Sequence, residues 1–170
     1  MKRRDILGLS AKAALGLAAI SSSAMAQQKS LKEQLLGTWM FVGSTGKLPD
    51  GSPQWGDNPK GYVSFLPDGN YSNLLMRSDL PKYKSNNRLD TTAEEDKATV
   101  RGLITTFGVY EINETERSYT VHVVGSSFPN WTGTDLKRTV ASVTADELRV
   151  NNPAPSTGGP PSQLIYRRAK

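Results

Sequence analysis

Between residues 38 and 168 apolar side chains recur mostly at every second position, in short runs separated by Gly, Pro, Asn and Asp. A period of two belongs to strands that bury one face and solvate the other. It predicts strands over 38–44, 61–66, 70–76, 107–113, 118–124, 135–143, 146–151 and 163–168. Pro67-Asp68-Gly69 joins the second and third as a tight hairpin, with Pro fixing φ and Gly accepting the left-handed position, and Ala145-Asp146 supplies another turn. Eight short strands linked by local turns predict an all-β fold, an eight-stranded antiparallel up-and-down barrel.

Two segments depart from that period. Leu31, Leu35 and Leu36 stand at helical spacing behind Ser30, with Glu33 three residues on, which predicts a short N-terminal helix leading into the first strand. Thr92 and Glu95 form a second such pair, followed by Val100, Leu103, Ile104 and Phe107 at spacings of three and four. This predicts a helix near residues 92–105 that packs over one barrel mouth, and Glu94-Glu95-Asp96 gives it the acidic first turn that a helix dipole favours. The Pro- and Gly-bearing stretches 47–60 and 152–162 read as long loops. Loops at a barrel mouth often gate a ligand site, although the second also fits a solvated hairpin tip.

Residues 1–26 stand apart from the fold: basic Lys2-Arg3-Arg4, a weakly apolar stretch from Ala13 to Ile20, then Ala24-Met25-Ala26. These are the three parts of a cleavable export signal, with small side chains for a signal peptidase and a mature start expected at Gln27. Arg3-Arg4-Asp5-Ile6-Leu7 resembles a twin-arginine export motif, and Lys12 makes the adjoining apolar stretch less hydrophobic. An ordinary secretory leader with two chance arginines is the alternative. Either route predicts a periplasmic or secreted protein. The apolar stretch is too short for a membrane span, so none is expected in the mature chain.

Removing the leader alters the charge picture. The whole chain has a formal net charge of +5, but the leader holds Lys2, Arg3, Arg4 and Lys12 against Asp5, leaving 17 basic and 15 acidic residues. No run of Lys or Arg interleaved with aromatics is present, so a nucleic-acid partner is not expected. With no cysteine in the chain, a disulfide framework, a thiolate metal site and a Cys nucleophile are excluded. Stability must come from a packed core, for which the expected mature length suffices as one domain, a monomer or weak dimer.

An ordered set of short motifs carries a family resemblance: Leu36-Gly37-Thr38-Trp39, Asn58-Pro59-Lys60-Gly61-Tyr62, Pro67-Asp68-Gly69-Asn70-Tyr71-Ser72, Phe107-Gly108-Val109-Tyr110-Glu111, Val121-His122-Val123, and Pro129-Asn130-Trp131-Thr132-Gly133 with Arg138. Together they resemble the bacterial and fungal lipocalin-like domain family over nearly all of the chain after the leader. The resemblance implies a lipocalin- or calycin-type barrel and names no substrate. It also implies that Gly37 and Trp39 open the first strand at the closed base, under a basic residue of the last strand. Alternation puts Leu164, Tyr166 and Arg168 on one face, so Arg168 rather than Arg167 is expected to lie on Trp39.

His122 is the only histidine and sits mid-strand, sharing a face with Thr120 and Val124. It is either a barrel-wall residue satisfied by a neighbour or a lumen residue that binds a ligand or moves a proton. Arg138 belongs to the strand expected beside it. If both point inward, a fixed positive charge lies beside an imidazole, which suits a carboxylate or enolate-like oxygen. Tyr110, Tyr62, Tyr71, Met76, Phe107 and Trp131 are candidate lumen walls, equally explained as core. One His without His-x-His or His-x-x-Glu spacing argues against a metal site, and no cofactor is expected. No Gly-x-Ser-x-Gly elbow or Gly-rich phosphate loop is present.

The leading functional expectation is an exported barrel that binds a small, largely apolar ligand, with or without a carboxylate or carbonyl. The first alternative is a lumen-based isomerase, cyclase or hydrolase with His122 as general base, Arg138 as oxyanion partner and Tyr110 orienting substrate. The second is a protein-binding or inhibitor module that presents Trp131 as an exposed anchor. A wide lumen favours the first two; a filled lumen with exposed Trp131 favours the third.

Overall fold

The computed structural model describes residues 29–170, so the leader and its expected cleavage site lie outside the described residues. A short helix, α1 (Leu31–Leu35), precedes β1 (Gly37–Ser44), β2 (Lys60–Phe65) and β3 (Asn70–Met76). Helix α2 (Ala93–Gly102) follows, then β4 (Leu103–Asn113) and β5 (Ser118–Ser126), a 3-10 turn at Pro129–Trp131, β6 (Asp135–Val143), β7 (Glu147–Asn152) and β8 (Ser162–Arg168). Each strand pairs antiparallel with the next and β8 returns to β1, closing an eight-stranded up-and-down barrel. Closure removes the sheet edges that an open eight-stranded sheet would expose. Register shifts at Phe41/Gly43, Phe107/Gly108 and Val140/Ser142 bend the strands as closure requires.

The inner face is set by alternation. In β5, Tyr119, Val121 and Val123 are buried while Thr120, His122 and Val124 are not; in β7, Leu148, Val150 and Asn152 are buried. At Gly61, where φ is +138°, an added Cβ would lie 1.9 Å from the Leu74 carbonyl oxygen, so the close approach of β2 to β3 requires glycine.

One end of the barrel is plugged. Helix α1 carries a complete capping box, with Ser30 Oγ accepting from Glu33 N at 3.2 Å and the Glu33 carboxylate accepting from Ser30 N at 2.8 Å. The Glu114 carboxylate, from the β4–β5 turn, accepts from the amides of Leu31 and Lys32 at 2.6 and 3.0 Å and ties the helix to the barrel. Leu31, Leu35 and Trp39 are essentially fully buried there, and the Trp39 indole donates to the Leu35 carbonyl at 2.8 Å. Above this plug Phe65 packs edge-on against Tyr71, Tyr110 and Tyr119, with ring centres 5.0–5.5 Å apart.

The second helix departs from expectation. It has the Thr92/Glu95 capping box but ends at Gly102, and Leu103 begins a strand that takes in Ile104 and Phe107. Val100 is 78% exposed and only Glu95 and Gly102 of the helix are buried, so α2 does not seal a mouth with an apolar face. The three-and-four spacing overlapped a period-two pattern, in which Ile104, Thr106, Gly108 and Tyr110 face inward. No helix among the described residues is long and apolar enough to cross a membrane.

Candidate functional site

The end opposite the plug carries the loops 45–59, 77–102, 127–134 and 153–161. Beneath them is a partly enclosed cavity of about 40 Å³, to whose wall the loops contribute Gln54, Trp55, Trp131 and Ser156. Its walls mix Leu75, Ile104, Val121 and Leu164 with the polar side chains of Asn73, Thr106, Tyr119 and Arg138. This volume holds about three water-sized groups, far below the wide lumen that would accept a large ligand.

Arg138 lies on the inner face of β6, in register with Tyr119 of β5, and is 9% exposed. Its guanidinium makes one hydrogen bond among the described residues, from Nη1 to the Lys137 carbonyl at 3.1 Å. No carboxylate of the described residues pairs with it; the ion pairs of Arg77, Lys137 and Arg149 involve other groups. Trp131, half-buried in its 3-10 turn, lies over the guanidinium at 5.9 Å from ring centre to Cζ and packs edge-on with Phe128. Tyr71, Tyr119 and Tyr166 are buried nearby. Burial pushes the Tyr119 hydroxyl up to about 12 against the opposing pull of Arg138 and the Tyr71 hydroxyl, and raises those of Tyr71 and Tyr166 well above the ordinary range. All three remain neutral O–H groups at physiological pH. Tyr166 donates to Asn73 Oδ1 at 3.4 Å, the long end of hydrogen bonding.

His122 is not in the lumen. It lies on the outer face between Val109 of β4 and Asp135 of β6, with Nδ1 2.6 Å from Asp135 Oδ1 and Nε2 3.7 Å from Glu111 Oε2. The carboxylate of Asp135, through its hydrogen bond, raises the imidazole above its usual value, and Glu111 adds to this. The expected pairing of His122 with Arg138 at one ligand is therefore corrected. The two occupy opposite faces of the same wall, because the more apolar parity of β5 turns inward. With the imidazole outside, the lumen base assigned to His122 in the catalytic reading is gone.

The remaining candidates divide in the same way. Tyr71 and Trp131 line the cavity. Tyr110 points inward but lies in the aromatic layer nearer the base, its hydroxyl donating to the Leu66 carbonyl at 2.9 Å. Tyr62, 36% exposed, and Phe107, 53% exposed, are on the outer face, where Phe107 covers Gly125; Met76 shares the outward parity of β3. Trp131 is folded onto Arg138 rather than standing free as an anchor for a protein partner. Reading from sequence missed Trp55 and Asn152. Trp55 is held from the loop 45–59 edge-on to Phe41, and neither its indole N–H nor Asn152 Oδ1 has a hydrogen-bond partner among the described residues. Nothing in strand periodicity marks Trp55, since it comes from an irregular loop. Among the described residues no group of three or more His, Asp or Glu is placed to hold a metal ion.

A closed barrel with a helix-plugged base, a Gly-x-Trp opening strand and a loop-lined mouth is the architecture of small lumen-binding β-barrels. The chain belongs to the lipocalin-like domain family, whose profile matches residues 36–168, from the residue before β1 to the last of β8. No curated protein matches it in sequence.

Proposed function

We propose that the chain is exported and that its lumen binds a small, largely apolar molecule, reached through the mouth beneath Trp131. The observation that carries this reading is the asymmetry of the two ends. The base is filled by Leu31, Leu35 and Trp39 to essentially complete burial, whereas the mouth end leaves a cavity with five aliphatic side chains, Leu75, Ile104, Val121, Leu136 and Leu164, in its wall. An unfilled volume forfeits packing energy, and this one, with aliphatic and hydrogen-bonding groups both in its wall, offers contacts to a small molecule that enters it. Membership of the lipocalin-like family supports the same reading.

Native mass spectrometry of protein purified from the periplasm tests both halves. The expected species begins at Gln27 and carries a small co-purified molecule that is lost on denaturation. A chain that still begins at Met1 and stays in the cytoplasm overturns export. Protein that remains free of adducts and shows no lumen chemical-shift changes with small aliphatic probes overturns binding. If export follows the twin-arginine route, replacing Arg3 and Arg4 together by Lys blocks it; undiminished export of that variant assigns the general secretory route.

A further inference from the structure

We infer that the lumen is built for a short-chain monocarboxylate, with the carboxylate on Arg138 and the Tyr119 hydroxyl and the aliphatic tail against Leu75, Ile104, Val121 and Leu164. The inference rests on the lumen being a ligand site and adds the chemical class of the ligand.

Two arginines of this barrel carry guanidinium groups against an indole, and they are treated differently. Arg168 at the base donates from Nε to the Ala145 carbonyl at 2.8 Å, from Nη1 to that of Leu36 at 3.0 Å and from Nη2 to that of Gln34 at 2.8 Å. All three of its nitrogens are used by the protein, as a structural arginine requires. Arg138 is 9% exposed and has a single backbone carbonyl as partner. A buried cation lacking both a counter-charge and most of its hydrogen bonds is costly, and an arriving anion removes that cost. Its planar fork matches a carboxylate in particular.

The charge of the site selects a monoanion. Arg138 is the one cation in the cavity wall, and the tyrosines around it are neutral donors. A carboxylate there gives a neutral, hydrogen-bonded pair, whereas a dianionic phosphate leaves one negative charge buried. Tyr119, in register with Arg138 on the same inner face, is placed to give a second donor. The rest of the wall sets the aliphatic Leu75, Ile104, Val121, Leu136 and Leu164 among aromatic and polar side chains, and a cavity of about 40 Å³, room for about three water-sized groups, limits the tail to about one carbon.

The test compares acetate, its neutral isostere acetamide, and inorganic phosphate on the protein from Gln27 to Lys170, at neutral pH, by NMR titration of the Tyr119 ring and Trp131 indole. Acetate is expected to bind about tenfold or more tighter than acetamide, the ratio that a charge-assisted hydrogen bond supplies. Arg138→Met should abolish the preference and Arg138→Lys should retain part of it. Equal binding of acid and amide overturns the assignment while leaving the lumen a ligand site. Phosphate binding more tightly than acetate overturns it in favour of an unselective anion site. Failure of every probe to move the lumen resonances removes the ligand site itself. Should Arg138→Met not fold, the acid–amide comparison on the unaltered protein decides alone.

Discussion

The guanidinium of Arg168 lies 3.8 Å from the centre of the Trp39 ring and donates to carbonyls of the segment containing α1 and of the β6–β7 turn, so one side chain of β8 fastens the N-terminal plug to the barrel. The indole beneath it is fully buried and spends its N–H on Leu35. Burial, a cation–π contact and saturated hydrogen bonding coincide at this point, which makes it the place where the fold is most sensitive to truncation.

Trp39→Ala is accordingly expected to destabilise the protein by roughly 3 to 5 kcal/mol, the cost of deleting a large buried aromatic. Trp131→Ala, at a half-buried turn over the mouth, should cost much less, on the order of 1 kcal/mol. Denaturant melts of the two variants measure the contrast. Equal losses would contradict the assignment of Trp39 to the plug at the base.

Arg138→Met should leave stability unchanged or raise it by roughly 1 to 3 kcal/mol, because an apolar stem of similar volume replaces a buried charge with few partners. The same melts, run without ligand, check it. A loss exceeding about 1 kcal/mol would mean that Arg138 serves the fold as Arg168 does.

His122 should titrate above the usual histidine value, since its hydrogen bond to Asp135 favours the protonated ring. Its folded value is raised, so whatever it contributes to stability is present below the unfolded value of about 6.5 and fades as pH rises through the folded value. NMR titration of the single imidazole reads this directly, and Asp135→Asn should bring the midpoint down. A midpoint unmoved by that substitution would exclude the carboxylate as the cause.

A titration of lumen binding against pH separates the two faces. Because His122 stands on the outer wall, His122→Gln should leave probe affinity for the lumen unaltered. A fall in affinity of about tenfold or more would place the imidazole in contact with the site after all.

The chain's own pattern determines the barrel. Period-two runs, the Pro67-Asp68-Gly69 hairpin and local connections between successive strands leave up-and-down pairing as the simplest topology, and the strands are found within a residue or so of where alternation puts them except β4, which begins at Leu103. The capping signals at Ser30/Glu33 and Thr92/Glu95 are equally local and act through backbone amides three residues away, so they are legible without any tertiary information. Where two periods overlapped, at Leu103 to Phe107, the strand prevailed because Ile104 and Thr106 gain burial in the lumen that a helix lying outside cannot give them.

Alternation also decides which side chains reach the lumen. Tyr119, Val121 and Val123 form the apolar face of β5, and Leu136 and Val140 flank Arg138 on β6, so the same rule that builds the strands sends Arg138 inward and His122 outward. What sequence alone does not contain is how loops meet over the mouth. Trp131 reaches Arg138 and Trp55 reaches Phe41 from segments without a repeating pattern, and the size of the remaining cavity depends on the sum of those contacts. Strand position is a local property fixed by alternation, whereas a cavity is the residue of packing between elements distant in the chain, and only the closed barrel decides it.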